Sequence, residues 1–401
     1  GNPYPGDTRV GFVNNGIMAL FEGAKYVIDG NDIESINNNV DIATTILGLA
    51  RYSDDYTRSA GPSMMFVKDN SDRPDTIPHL LARPTEHTTG NVADVEAIPM
   101  GPNPNYNLGC AIRNGMLKGQ RKRFSCAIPL HHIFGFCRNV RKVIYGAKHT
   151  VVLNRRTDDN NAIWRIPASA DPAHAADDDG MVVLSKLILW MPVLTPSLAV
   201  NQRLLSWMET GASSLISWLN TTNDTLEANQ AEFTWNLPGK RGISAPRHIF
   251  IALQSRDRIH AAVQQTRSHM IFDRLDVTEV SLRINGQQEP AEPIKLRSNN
   301  DDNNVARVYH QLLSFMVRDQ NVDTGLQISQ YDFQTLYPIY YFSLEHLDLT
   351  KESVVDITFN ALVGQPGGGY RAFAVILNDK SMLIEGVGGQ MRLVDAPVEN
   401  L

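Results

Sequence analysis

"VTEVSLRINGQ", residues 277–287, is the stretch on which the fold class turns. Its apolar residues Val280, Leu282 and Ile284 alternate with Ser281 and Arg283, the period of a strand with one buried face, and the run closes on an Asn285-Gly286 turn. The same reading extends outward in both directions. "AKYVIDGNDI" (24–33) is β-prone and turns at Asp29-Gly30. "HTVVLNR" (149–155), "MVVLSKLILWMPV" (181–193), "RHIFIALQS" (247–255), "SVVDITFNALV" (353–363) and "YRAFAVILND" (370–379) are rich in Val, Ile, Phe and Thr and are expected to be strands. The interval from Ser53 to Gly109, rich in Pro, Gly, Asn and Asp, reads as extended loop. One segment reads as helix, "SLAVNQRLLSWMETGASSLISWLN" (197–220), with Ser197 as N-cap and apolar residues at three-to-four spacing. Around Leu205, Met208 and Leu215 it is expected to bridge two β domains and set the angle between them.

The two halves echo each other. "YVIDGND" matches "LRINGQQ" (282–288), each a strand closing on an Asx-Gly turn, and "IPLHHIFG" (128–135) matches "FSLEHLDL" (342–349). With 401 residues, too many for one ordinary core, this favours two copies of one β fold. Many short strands, long loops and no strand–helix–strand rhythm make the chain all-β: two β-sandwiches, of the jelly-roll kind.

A hydrophobic fraction of 42% and a charged fraction of 20% describe an ordinary globular protein. No apolar run reaches the roughly 18 residues of a membrane span, and the first ten residues lack the shape of a signal peptide. Three cysteines, Cys110, Cys126 and Cys137, argue against a disulfide scaffold and for a reducing compartment, where the sequons at Asn220 and Asn223 stay unmodified. The net charge is −6, yet Ala97 to Thr157 contains no acid and eleven basic residues, which leaves −17 on the remainder. Lys118, Arg121, Lys122 and Arg123 are expected to be the exposed piece of this basic segment, facing DNA or an acidic partner. The competing expectation is internal neutralisation by Asp158-Asp159 and Asp177 to Asp179.

Catalytic and metal chemistry find little support. In "CAIPLHHIFGFCRNVRKVIYGAKH" (126–149) two cysteines flank His131 and His132, but they lie eleven apart in apolar surroundings, and adjacent histidines in a strand point to opposite faces. The expectation is no metal and no cofactor. No His-x-His pair or Gly-x-Ser-x-Gly elbow occurs. "GQPGGGYR" (364–371) lacks the Gly-Lys-Ser/Thr of a phosphate loop and reads as a hairpin tip, and the acidic clusters lack the spacing of a calcium loop. Trp190, Trp207 and Trp218 raise a second class, a carbohydrate-binding β-sandwich, although core or interface packing is the commoner use of such residues.

Several phrases resemble the double jelly-roll major capsid proteins of eukaryotic DNA viruses, nearest to those of Polinton/Maverick elements and adintoviruses. They are "NLGCAIRNG" (107–115), "IPLHHIFGFCRNVRKVIYGAKHTVVLNRRTDDNNA" (128–162), "LSKLILWMPVLTPS" (184–197), "PRHIFIALQS" (246–255), "FDRLDVTEVSLRINGQQEP" (272–290) and "YRAFAVILNDKSM" (370–382), in the family's order. The interval 54–106 has no counterpart and 331–348 matches loosely. The resemblance implies two jelly rolls side by side, 1–196 and 229–401, joined by a helical bridge, 197–228. It also implies a homotrimer of pseudo-hexagonal outline that tiles an icosahedral virion shell and has no enzymatic activity. The implied partners are neighbouring capsomers, penton and minor capsid proteins and packaged DNA, with assembly inside the host cell, in nucleus or cytoplasm. The long intervals 53–109 and 299–304 are expected to decorate the capsomer surface or its subunit contacts.

Overall fold

The computed structural model describes residues 9–73, 79–81, 99–102, 106–117, 123–166, 181–237, 243–244, 246–259, 267–296, 305–320, 325–347, 349, 352–361, 369–387 and 390–395. The first half comprises β1 (Arg9–Phe12), α1 (Gly16–Ala19), β2 (Phe21–Ile28), β3 (Asn31–Ile36), α2 (Val40–Arg51), α3 (Asp54–Ser59), β4 (His79–Leu81), β5 (Pro99–Pro102), α4 (Leu108–Gly115), α5 (Leu130–Ile133), α6 (Gly135–Asn139), β6 (His149–Arg155) and β7 (Ile163–Ile166). Helix α7 (Leu198–Glu209) leads into the second half: β8 (Ser213–Ala228), β9 (Glu232–Leu237), β10 (Ile243–Ser244), β11 (Pro246–Ser255), β12 (Val277–Ile284), β13 (Gln287–Gln288), β14 (Ile294–Lys295), α8 (Val305–Gln320), α9 (Gln330–Thr335), β15 (Ile339–Ser343), β16 (Glu352–Ser353), β17 (Val355–Ala361), β18 (Tyr370–Val387) and β19 (Gln390–Asp395).

The quoted stretch folds as its pattern dictates. β12 and β13 pair with Ile284 opposite Gln287, so the loop is the two residues Asn285 and Gly286, with φ of 51° and 83°. A two-residue hairpin that follows the strand twist needs both central residues in the left-handed region, which Asn-Gly supplies at least cost. β2 and β3 repeat the device at Asp29 and Gly30, φ 50° and 86°. In each half the hairpin's first strand also pairs with a strand that returns from beyond a long interval containing a helix, α2 in the first half and α8 in the second. β6 joins β2 to give the order β3-β2-β6, and β17 joins β12 to give β13-β12-β17-β9. The chain therefore carries one hairpin–helix–strand unit twice.

In the second half this sheet faces another, in which β18 runs between β8 and β11 and β15 pairs beyond β11. Side chains of the two sheets meet directly: Phe233 stands 5.2 Å from Tyr370, and Tyr340 stands 6.0 Å from Phe359. Ala372 to Leu377 of β18 are buried without alternation, because the strand has protein on both faces. The outer cover comes from the first half. Helix α2, buried along its whole length, lies on β2, on β18 and on α8. From α8, Val308, Leu312, Phe315 and Met316 point into the same core. Phe315 is the hub there, 4.8 Å from Phe250 and 5.4 Å from Tyr341, with the guanidinium of Arg51 5.6 Å above its ring.

Several expectations need correction. The helix expected over 197–220 stops at Glu209, and from Ser213 the chain is β8. "SSLISWLN" alternates, with Ile216, Trp218 and Asn220 buried and Leu215 exposed, and pairing along the whole length of β8 with β18 outweighs helical spacing. Of the three bridge residues only Met208 is buried, while Leu205 is 40% exposed. The segment 181–193 forms no strand, and no strand among the described residues pairs with it. Helices α2 and α8 replace a reading with a single helix. The interval 53–109 holds α3, a 3-10 turn (Gly61–Met64), β4, β5 and the start of α4, and Phe66 and Asp69 within it are buried. Residues 299–304 lie outside the described residues. Of "GQPGGGYR" only Gly369 to Arg371 are described; β17 before it and β18 after it belong to different sheets. Leu130 to His132 lie on α5, whereas their matched Leu344 to His346 follow β15.

Replacing Phe315 with Ala removes a buried ring shared by both halves. The expected loss is about 3–5 kcal/mol of unfolding free energy, measured by urea denaturation.

Candidate functional site: the join between halves and the exposed surfaces

A short strap, residues 66–72, ties the two halves together. The Phe66 ring meets Tyr52 edge-on at 5.6 Å and His132 at 5.3 Å. Arg113, on the last turn of α4, is fully buried. Its Nε donates to the Phe12 carbonyl at 2.9 Å, and its terminal nitrogens donate to the Val67 carbonyl and the Asp69 carboxylate. Asp69 reaches into the second half: its backbone N–H donates to Tyr337 Oη at 2.8 Å, and its carboxylate accepts from Ser268 Oγ at 3.3 Å. Lys68 pairs with Asp332, which also closes the capping box of α9 with Ser329. Asp72 pairs with Arg258, whose fork binds Asp273 at 2.7 and 2.6 Å. Burial opposes the charge of Arg258, but the Asp273 and Asp72 carboxylates outweigh it and push the guanidinium up. The strap is thus an ionic seam, with each charge paired across or along the join.

The Cys126–His149 segment lies beside this seam. His131 and His132 sit on α5, not on a strand. His132 is buried with both ring nitrogens engaged: Nε2 stands 3.3 Å from the Asn15 carbonyl oxygen and Nδ1 stands 2.9 Å from Tyr52 Oη. A carbonyl only accepts, so Nε2 carries the proton and Nδ1 accepts from the tyrosine. Burial, with Arg138 and His131 nearby, pushes its pKa down to about 3. The Cys137 thiol is pushed up to about 12 by burial and by the Glu34 charge. Glu34 is itself engaged, accepting from the backbone N–H groups of Gly135, Phe136 and Thr221 at 3.0, 2.9 and 3.1 Å. It thereby anchors α6 to β8. Among the described residues no group of three or more His, Cys, Asp and Glu side chains could hold a metal.

The basic segment divides. Arg113, Arg155 and Arg156 are neutralised internally by Asp69, Asp159 and Asp41. Of the expected neutralising acids, Asp159 takes part and Asp158 is exposed, while Asp177 to Asp179 lie outside the described residues. Arg123, Arg141 and Lys148 are exposed. Lys118, Arg121 and Lys122 of the expected patch also lie outside the described residues. The three tryptophans share no platform. Trp218 is buried edge-on against Phe136 at 5.2 Å, Trp207 is half-buried on α7, and Trp190 is exposed. No sequence signal marked the strap, whose acids look like ordinary loop residues until their arginines are placed.

His132 and His269 are both held neutral by burial, the latter pushed down to about 4 although Asp41 faces it. Below the ordinary histidine value near 6.5 the unfolded chain takes up protons that the folded chain refuses. This contribution to stability is therefore complete above that pH and is lost as the pH falls toward the folded values. Unfolding free energy should drop by about 1.4 kcal/mol per pH unit per histidine between about pH 6.5 and 4.5. His132→Gln should flatten the slope in denaturant titrations at a series of pH values.

A family model described as "Double jelly roll-like domain" matches residues 100–380. Among solved structures, the Faustovirus major capsid protein aligns with a TM-score of 0.49 at 10% identity, covering 97% of this chain and 74% of that one. A chain of the Sputnik virophage cryo-EM structure aligns at 0.48 and 11% identity, covering 99% and 78%. The mavirus major capsid protein aligns at 0.45 and 10% identity, covering 98% and 80%. No curated protein matches. With well over half its length inside the family match, and with the same hairpin–helix–strand unit built twice, the chain belongs to the double jelly roll-like family.

Proposed function

We propose that this chain is a major capsid protein without catalytic turnover. In this reading three copies form a pseudo-hexameric capsomer, and capsomers tile an icosahedral virion shell. The observation that carries the proposal is the duplicated unit within one chain. Two similar lobes per chain give three chains six similar sides, so one gene product can meet six neighbours in a closed, repeating lattice. The ordered phrases that resemble Polinton/Maverick and adintovirus capsid proteins support the same reading and that kinship. The lobes are taken as 1–196 and 229–401, flanking 197–228, with β8 of the intervening stretch serving the second lobe's sheet.

Penton and minor capsid proteins are the further partners, with assembly in the host nucleus or cytoplasm. Packaged DNA or an acidic minor protein is the proposed ligand of the basic residues Lys118, Arg121, Lys122 and Arg123, with Arg141 and Lys148 adding to the exposed positive charge.

Sedimentation and electron microscopy test the assignment. The expected result is a particle of three 44.6 kDa chains with sixfold-looking projections, growing into shells as ionic conditions change. A stable monomer under every ionic condition, binding glycans on an array, would instead favour a carbohydrate-binding sandwich. For the basic patch, charge reversal at Lys118, Arg121, Lys122 and Arg123 together should weaken low-salt DNA binding by about tenfold or more. Undiminished binding would remove DNA as the ligand of that patch.

A further inference from the structure

A chain of hydrogen bonds runs from the core of the first half outward to the ends of α2, α5 and α6. The Asn15 amide donates to the Thr44 and Thr45 hydroxyls of α2 at 2.8 and 3.0 Å, and its carbonyl oxygen stands 3.3 Å from His132 Nε2. His132 Nδ1 accepts from Tyr52 Oη at 2.9 Å, and Tyr52 Oη in turn accepts from the guanidinium of Arg138. Every donor in this relay points inward, so its protons are fixed and Arg138 is held as the outermost member. Arg138 also donates to the His131 carbonyl at 3.4 Å, and the ring of Tyr56 stacks on Tyr52 at 4.5 Å.

The charge gathered at this outer end has one sign. His131 and Arg138 are half-buried, Arg141 is exposed, and Arg51 is buried over the Phe315 ring. Burial pushes His131 down, and the charges that act on it are Arg138, Arg141 and Arg51, all positive. Acids of the surrounding elements are engaged elsewhere. Asp41 of α2 pairs with Arg156, Asp54 of α3 pairs with Arg58, and Glu34 of β3 takes the backbone N–H groups that open α6, while Asp55 is exposed. Helix ends account for part of the charge, since Arg51 and Arg138 stand in the last turns of α2 and α6, where cations are favoured. Arg141 lies past both. Like charges brought together in a partly buried place repel until a counter-ion joins them.

We propose that Arg138, Arg141 and His131 form a binding site for a phosphate group, with Arg51 adding charge from beneath and Tyr56 beside it. Guanidinium forks match the oxygens of such a group, and an arginine already held by a buried relay loses little freedom on binding. A free phosphate and a nucleic-acid backbone present the same oxygens. The site shares only Arg141 with the basic surface proposed above.

Calorimetric titration of the whole chain with inorganic phosphate, and with sulfate as a stand-in whose charge does not change near neutral pH, tests the proposal. Both anions should bind, and Arg138→Gln and Arg141→Gln should each weaken binding by about tenfold, the loss of one charge-assisted hydrogen bond. A bound anion opposes the arginines and raises the proton affinity of His131, so binding takes up a proton and tightens as the pH falls. Sulfate affinity should rise about threefold or more from about pH 7.5 to about pH 5.5, and His131→Gln should remove that dependence. A short DNA duplex separates the sources. Competition with sulfate that is lost in Arg138→Gln assigns the group to a nucleic-acid backbone, and sulfate binding without competition assigns it to free phosphate. Three outcomes overturn the proposal: no binding of either anion at millimolar concentration, binding undiminished in Arg141→Gln, whose exposed side chain leaves the fold intact, or sulfate affinity independent of pH. None of these measurements needs a capsomer, so failure of the capsid reading remains distinguishable.

Discussion

The guanidinium of Arg113 has no contact with water, and its countercharge, Asp69, sits on a strap that belongs to the first half but bonds to the second. Placing an ion pair in such a site costs desolvation on both partners, recovered only when the remaining donors and acceptors are filled. Here they are filled from three directions: the Phe12 and Val67 carbonyls, Ser268 and Tyr337. The arrangement works only if β1, α4, the strap and the second lobe are all in place together. Removing one partner would strand a buried charge, typically a loss of about 3–5 kcal/mol. The relative position of the lobes is thereby specified by geometry that apolar packing alone would leave adjustable. Gly109 shows how closely the parts fit: a Cβ there would lie 1.9 Å from the Lys68 carbonyl oxygen.

Where period and turn chemistry agreed, the fold was legible. The two Asx-Gly hairpins and the strands around Val151, Ile251, Ile357 and Val375 form where alternation and β-branched content place them. Helix α8 also has a sequence signal, since Val305, Val308, Leu312, Phe315 and Met316 recur at helical spacing, but the sequence reading made no assignment there. Helix α2 is buried on every side, so its polar residues Asp41, Thr44 and Thr45 serve interior hydrogen bonds and ion pairs and do not mark a solvent face. Residues 210–220 satisfied two periods at once, and long-range pairing with β18 decided between them, which no local window contains.

The polar side of the molecule was harder to read. Asp69, Asp72 and Asp41 find their arginines across separations of 44, 186 and 115 residues, so these ion pairs have no local signature. The acid-free stretch correctly flagged unusual charge, yet some of its arginines serve the interior and others the surface. The histidine pair resembled a ligand motif because both residues are of ligand type. Only the positions of Tyr52 and Asn15 reveal that His132 is a core hydrogen-bonding residue with no free nitrogen.

The place of β18 has a consequence for how the chain comes to be folded. It is the middle strand of its sheet, while its neighbours β8 and β11 are complete by Ser255, more than a hundred residues before Tyr370. Until it arrives, β8 and the apolar β11 wait with unpaired edges, the state in which strands pair with the wrong partner. Contacts of such long sequence separation also form slowly. Folding of the second lobe therefore waits on residues made long after its flanking strands, and the half-made chain has to be kept apart from its neighbours until its centre is delivered.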